Sequence, residues 1–131
     1  MKSSKDKKTI LVIDDDIDIL RAVTLVLEYS GYKVKTASDG AYASELGKKS
    51  VPLPDLILLD VLLSGKDGRV IARELKSRPA TASIPLIMFS AHPSAEKTAH
   101  SFGADDFLAK PFDIDTLLKL VEKHLKKASK K

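Results

Sequence analysis

Residues 55–68 read DLILLDVLLSGKDG. The run Leu56-Ile57-Leu58-Leu59 is short, uninterrupted and wholly apolar, which fits a strand buried on both faces. It stops on Asp60. The same grammar recurs along the chain: Ile10-Leu11-Val12-Ile13 stops on Asp14-Asp15, Leu86-Ile87-Met88-Phe89 on Ser90, and Phe107-Leu108-Ala109 on Lys110. A fifth run, Lys33-Val34-Lys35-Thr36-Ala37, alternates polar with apolar residues, as an edge strand does, and closes on nothing distinctive.

Between these runs lie segments with helical spacing, so strands and helices alternate strictly and the fold class is α/β, a doubly wound five-stranded parallel sheet with five helices. Asp16 to Tyr29 carries Ile17, Ile19, Leu20, Val23, Val26 and Leu27 around most of its circumference and is expected to be deeply packed, with Gly31 as its stop. The second helix is expected over about Gly40 to Lys49. The third spans Asp67 to Ser77 with Val70, Ile71 and Leu75 inward, and the fourth Ser94 to Phe102 with Ala95, Ala99 and Phe102 as anchors. The last begins at Asp113 as N-cap and sets Ile114, Leu117, Leu118, Val121 and Leu125 on one stripe. With right-handed crossovers the simplest strand order is 2-1-3-4-5. Its switch point falls between strands 1 and 3, so Asp14, Asp15 and Asp60 share the carboxyl edge where open α/β sheets bind ligands.

The chain has 131 residues, 44% of them hydrophobic, and no cysteine. That suffices for one core and excludes a disulfide framework and thiolate metal sites. The N-terminus MKSSKDKKTI lacks the apolar region of a secretory signal, and no apolar stretch reaches membrane-spanning length, so a soluble cytoplasmic protein with no membrane partner is expected. The net charge of +4 is concentrated at the ends: residues 1–8 and 126–131 together contribute +7, leaving residues 9–125 at −3. Two basic flexible tails, 1–8 and 126–131, are therefore expected to flank a mildly acidic domain over 9–125. The tails hold no aromatic residue for stacking and no arginine for base readout, which disfavours nucleic acid as a partner.

Three carboxylates at one strand edge repel one another, and a hard divalent cation is the usual way to keep them ionised. Mg2+ suits such an oxygen-rich site. A carboxylate beside it can act as nucleophile toward phosphorus, and because phosphoryl transfer needs mainly positioning and charge stabilisation, Lys110 and Ser90 are sufficient helpers. Each residue also has a plainer reading. Asp14, Asp15 and Asp16 all suit the N-terminus of the first helix, Ser90 and Lys110 singly are ordinary loop residues, and Phe107 is core in any case. His92, His100 and His124 lack metal-ligand spacing and read as surface residues.

Taken together and in order, Asp14-Asp15, Asp60 within DLILLDVLLSGKDG, Ser90-Ala91 and Lys110-Pro111-Phe112 resemble the receiver domains of two-component response regulators over residues 9–125, in the chemotaxis-regulator-like, flavodoxin-like form. The resemblance implies that Asp60 is the phosphoacceptor, taking its phosphoryl group from a sensor histidine kinase or a histidine phosphotransfer protein. It implies Mg2+ held by Asp15, Asp60 and the Leu62 carbonyl, with Asp14 acting through water. Lys110 and Ser90 would hold the phosphoryl oxygens, and Phe107 would be the switch aromatic. Signalling would then pass to a downstream protein on the face made by helix 4, strand 5 and helix 5, in a monomer or a phosphorylation-dependent dimer. The chain would be a signalling domain with self-catalysed phosphotransfer and autodephosphorylation only, not an enzyme acting on other substrates.

Four positions depart from the family pattern: Leu63-Ser64 stands in place of Met-Pro, Ser90 in place of Thr, and Phe107 in place of Tyr. The chain ends about six residues beyond the last helix, so a stand-alone regulator or a receiver cut from a longer protein is expected. Two rivals compete. Ile13-Asp14-Asp15-Asp16 also resembles the start of a haloacid dehalogenase-type phosphatase, with Asp105-Asp106 imitating its later acidic pair; a receiver-like module that binds without phosphorylation is the other. No phosphate-binding glycine loop of an ATP-dependent kinase is present.

Overall fold

The computed structural model describes residues 7–48, 50–63, 66–92 and 94–129. Along the chain run β1 (Thr9–Ile13), α1 (Ile17–Tyr29), β2 (Lys33–Ala37), α2 (Ala41–Glu45), β3 (Leu56–Asp60), β4 (Leu62–Leu63), β5 (Lys66–Asp67), α3 (Gly68–Ser77), β6 (Leu86–Ser90), α4 (Ala95–Ser101), β7 (Asp106–Ala109) and α5 (Ile114–Ser129). Five strands form one parallel sheet in the order β2-β1-β3-β6-β7, which is 2-1-3-4-5 when its members are counted along the chain. β4 and β5 make a separate antiparallel pair of two residues each, which the sequence reading did not anticipate.

Alternation of side chains along each strand divides the core in two. Ile10, Val12, Leu56, Leu58, Ile87 and Phe89 meet α1 and α5 through Leu20, Val23, Leu27, Leu117, Val121 and Leu125. Leu11, Ile13, Ile57, Leu59, Leu86 and Met88 face the opposite layer, where α2, α3 and α4 supply Ala43, Ile71, Ala72, Leu75, Ala95 and Ala99. Each buried Leu or Ile adds roughly 1.5–3 kcal/mol of transfer free energy. The central strands β3 and β6 are buried at every residue, whereas β2 pairs only through β1 and remains largely open.

Several helix expectations need correction. α1 buries Leu20, Val23 and Leu27 but exposes Ile17 and Leu25, because the sheet covers it from one side and, among the described residues, no further layer lies outside it. For the same reason Val70 of α3 and Ile114 of α5 face solvent while Ile71, Leu75, Leu117, Val121 and Leu125 turn inward. α2 is only five residues long, in keeping with its few apolar anchors. α5 continues to Ser129, so residues 126–129 are helical where a flexible tail was expected. At the other end, the Lys33 N–H donates to the Lys8 carbonyl at 2.9 Å, so Lys8 continues the ladder. Residues 1–6 and 130–131, Lys49 of the expected second helix, and Ser64 lie outside the described residues. Gly31 ends α1 at φ 99°, a left-handed conformation that side chains disfavour.

Candidate functional site

The parallel ladder runs one step past the strand ends and fixes the polar residues there. The Asp14 N–H donates to the Ala37 carbonyl at 3.1 Å, the Val61 N–H to the Phe89 carbonyl at 2.9 Å, and the Lys110 N–H to the Ser90 carbonyl at 2.8 Å. Asp14, Asp60, Ser90 and Lys110 are thereby set along one edge by backbone bonds, before any side-chain contact is counted.

Asp14 is fully buried, Asp60 is 6% exposed and Asp15 is exposed. Each of the three offers a carboxylate oxygen, and these oxygens all lie within 4.8 Å of one another. Lys110 reaches into the group, its Nζ 3.0 Å from Asp14 Oδ2 and 3.6 Å from Asp60 Oδ2. The same ammonium lies 4.9 Å from the centre of the Phe89 ring, a cation–π contact that the sequence reading missed.

The possible capping role is divided among neighbours. Asp16 is the N-cap of α1, accepting from the N–H groups of Asp18 at 2.9 Å and Ile19 at 3.4 Å. Asp14 uses Oδ1 to accept from the Asp16 N–H at 2.9 Å, which leaves Oδ2 for Lys110. The Leu62 N–H lies 3.4 Å from Asp60 Oδ1.

Burial pushes the Asp60 carboxyl up, the Asp14 charge adds to the shift, and Lys110 opposes both; the result is a carboxyl at about 6. An all-oxygen donor set drawn from three clustered carboxylates is what a hard divalent cation such as Mg2+ requires, so the residues fit that ion.

Ser90 is buried, and its Oγ accepts from the His92 N–H at 3.0 Å. Phe107 is also buried, in the cluster that holds Ala95 and Ala99 of α4 and Met88 of β6. Gly68 sits hard against the end of β3: its N–H donates to the Val61 carbonyl at 2.7 Å, and a Cβ there would overlap the Asp60 carbonyl. A glycine at the first turn of a helix, directly after its Asp67 cap, is a sequence signal that would have revealed this close approach.

The acidic pair needed by the phosphatase rival is elsewhere. Asp106 opens β7, at the far end of that strand from Lys110, where His124 Nε2 lies 3.0 Å from its Oδ2. Asp105 accepts from Lys76 Nζ and from the Leu86 N–H, both at 2.8 Å. His124 is itself only 6% exposed and is not the surface residue expected; it occupies an inward position on α5, made tolerable by the Asp106 carboxylate.

The family model described as "Response regulator receiver domain" matches residues 10–122. The chain belongs to that family. Among curated relatives of this receiver, the DNA-binding dual master transcriptional regulator RpaA of Synechocystis sp. is 37% identical over 123 residues, covering 92% of this chain and 50% of the relative. The phosphate regulon transcriptional regulatory protein PhoB of Escherichia coli is 34% identical over 124 residues, covering 93% of this chain and 53% of PhoB. The receiver thus spans about half the length of these relatives.

Among solved structures, a proposed response regulator from Chloroflexus aurantiacus J-10-fl superposes on this receiver with a TM-score of 0.86 at 34% identity, over 92% of this chain and 99% of that one. The receiver domain of a signal transduction histidine kinase from Syntrophus aciditrophicus gives 0.85 at 29% identity, over 95% and 94%. No helix among the described residues is long and apolar enough to cross a membrane.

Proposed function

We propose that this receiver accepts a phosphoryl group onto Asp60 from the phosphohistidine of a sensor histidine kinase or histidine phosphotransfer protein. The observation that carries the reading is the convergence of Asp14, Asp15 and Asp60 with the Lys110 ammonium, 3.0 and 3.6 Å from two of them, at one sheet edge. Asp15, Asp60 and the Leu62 carbonyl would hold Mg2+, and Asp14 would support it through water. When bound, the ion supplies charge neutralisation for the phosphoryl oxygens.

A carboxylate oxygen of Asp60 forms the new bond to phosphorus while the phosphorus–nitrogen bond of the donor breaks, and the electron pair leaves with the imidazole. With its carboxyl at about 6, Asp60 is mostly ionised at neutral pH and ready to attack. Lys110 is positioned to exchange its contact with Asp60 for one with the phosphoryl oxygens. Ser90 joins it by releasing the His92 N–H, which loosens the loop leading into α4.

The face made by α4, β7 and α5 then rearranges and recruits a downstream partner, because Ser90 and Lys110 lead into those elements and Phe107 of β7 packs in the cluster that holds Ala95 and Ala99 of α4. A protein partner is favoured over nucleic acid, since exposed Glu96, Lys97, Glu122 and Lys123 mix both signs of charge on the two helices. Residues 9–125 are the working unit, cytoplasmic, as a monomer or a phosphorylation-dependent dimer.

Intact mass after incubation with acetyl phosphate and Mg2+ tests the reading. One phosphoryl adduct is expected, absent in Asp60→Asn and in excess EDTA. An adduct that survives both controls would overturn it.

A further inference from the structure

The phosphoryl site makes no use of the buried His124–Asp106 pair, although that pair joins two elements of the proposed output face. Leu117, Val121, His124 and Leu125 form the inward stripe of α5, so an imidazole occupies a position otherwise filled by aliphatic side chains. Its partner, Asp106, is the first residue of β7 and stands directly before Phe107. Asp106 Oδ1 accepts from the Phe107 N–H at 2.9 Å, while Oδ2 takes His124 Nε2 at 3.0 Å and the more exposed Lys123 Nζ at 3.6 Å. The adjacent Asp105 faces α3 and is occupied by Lys76.

We propose that the His124–Asp106 pair is a proton-operated tether that holds α5 to the head of β7 and sets how readily the α4–β7–α5 face moves. The proposal deepens the reading above by naming a second input to the same face. With the imidazole protonated, the contact is a buried, charge-assisted hydrogen bond between ions. With it neutral, one ordinary N–H donor remains and the ring can leave at lower cost.

Burial pushes Asp106 up, but the His124 hydrogen bond, the Phe107 N–H and the charges of Lys123 and His124 outweigh it and hold the carboxyl below its usual range. Asp106 therefore stays anionic while the pH passes through neutrality. Of the side-chain types in this cluster, only an imidazole ordinarily changes charge between about pH 5 and 8. Protonation of the ring therefore tightens the tether, and loss of that proton loosens it.

The test is amide hydrogen exchange on the full chain with no phosphodonor, at about pH 5.5 and about pH 8, comparing wild type with His124→Gln. Glutamine keeps an N–H donor but does not titrate. After correction for intrinsic rates, α5 protection in wild type is expected to fall roughly fivefold more between the two pH values than in His124→Gln. Taking the difference between the two proteins removes the contribution of Asp60, which both share. Asp106→Asn should show the same flat difference as His124→Gln. Identical pH profiles in wild type and His124→Gln would overturn the tether. Because no phosphoryl group is involved, that outcome leaves the Asp60 reading standing, and a failure of phosphorylation leaves the tether standing.

Discussion

Lys110 Nζ lies 3.0 Å from Asp14 Oδ2 across 96 residues of sequence, joining a partly exposed ammonium to a carboxylate with no solvent exposure. Removing the cation strands a buried charge. Lys110→Ala is therefore expected to destabilise the metal-free protein by about 3 kcal/mol, and Asp14→Asn combined with it should recover much of that loss. Urea denaturation in EDTA measures both; an additive double mutant would show that the two groups are not coupled.

Asp60 gives the metal-free protein a definite pH dependence. Its carboxyl is raised from the ordinary carboxylate value to about 6 by burial first and Asp14 second, so the folded state favours the protonated form. The associated stability is fully present below the ordinary carboxylate range and is lost as pH rises through about 6. Unfolding in EDTA should show the wild type less stable at pH 8 than at pH 5 by about 1.4 kcal/mol, with Asp60→Asn nearly flat from this source.

Divalent cation should reverse that loss. Mg2+ added at pH 8 is expected to raise the melting temperature of wild type by mass action on the folded state, and Asp15→Ala or Asp60→Asn should abolish most of the rise. Calorimetry with and without the ion checks it; an equal rise in all three proteins would place the ion elsewhere.

Gly68→Ala probes the packing that holds Asp60 in place. The added methyl would overlap the Asp60 carbonyl, and backbone rather than a flexible side chain would have to yield. A loss of roughly 1–3 kcal/mol is expected, together with slower phosphorylation, whereas Ala at the exposed Val70 two residues on should do little. Equal effects at the two positions would remove the special role of Gly68.

Much of this architecture is written in local sequence. The strands are legible because central parallel strands must be apolar on both faces, and Lys33 and Lys35 mark β2 as an edge. The candidate site is legible because it consists of the residues on which those runs stop. What local pattern does not carry is which apolar helix residues the sheet reaches: Ile17, Val70 and Ile114 read as core and are exposed. His124 fails in the opposite direction, since its burial depends on Asp106, 18 residues away, and no helical period reveals such a partner. The β4–β5 pair is equally hidden, as two-residue strands have no periodicity.

The identity of the phosphorylated atom group decides the central claim. Borohydride reduction of the acetyl phosphate-treated protein converts an aspartyl phosphate to homoserine, and peptide mapping by mass spectrometry locates it. We expect homoserine at position 60 alone, dependent on Mg2+. Homoserine at position 14 or 15, or a phosphoryl adduct that resists borohydride, would contradict the assignment of Asp60 as acceptor.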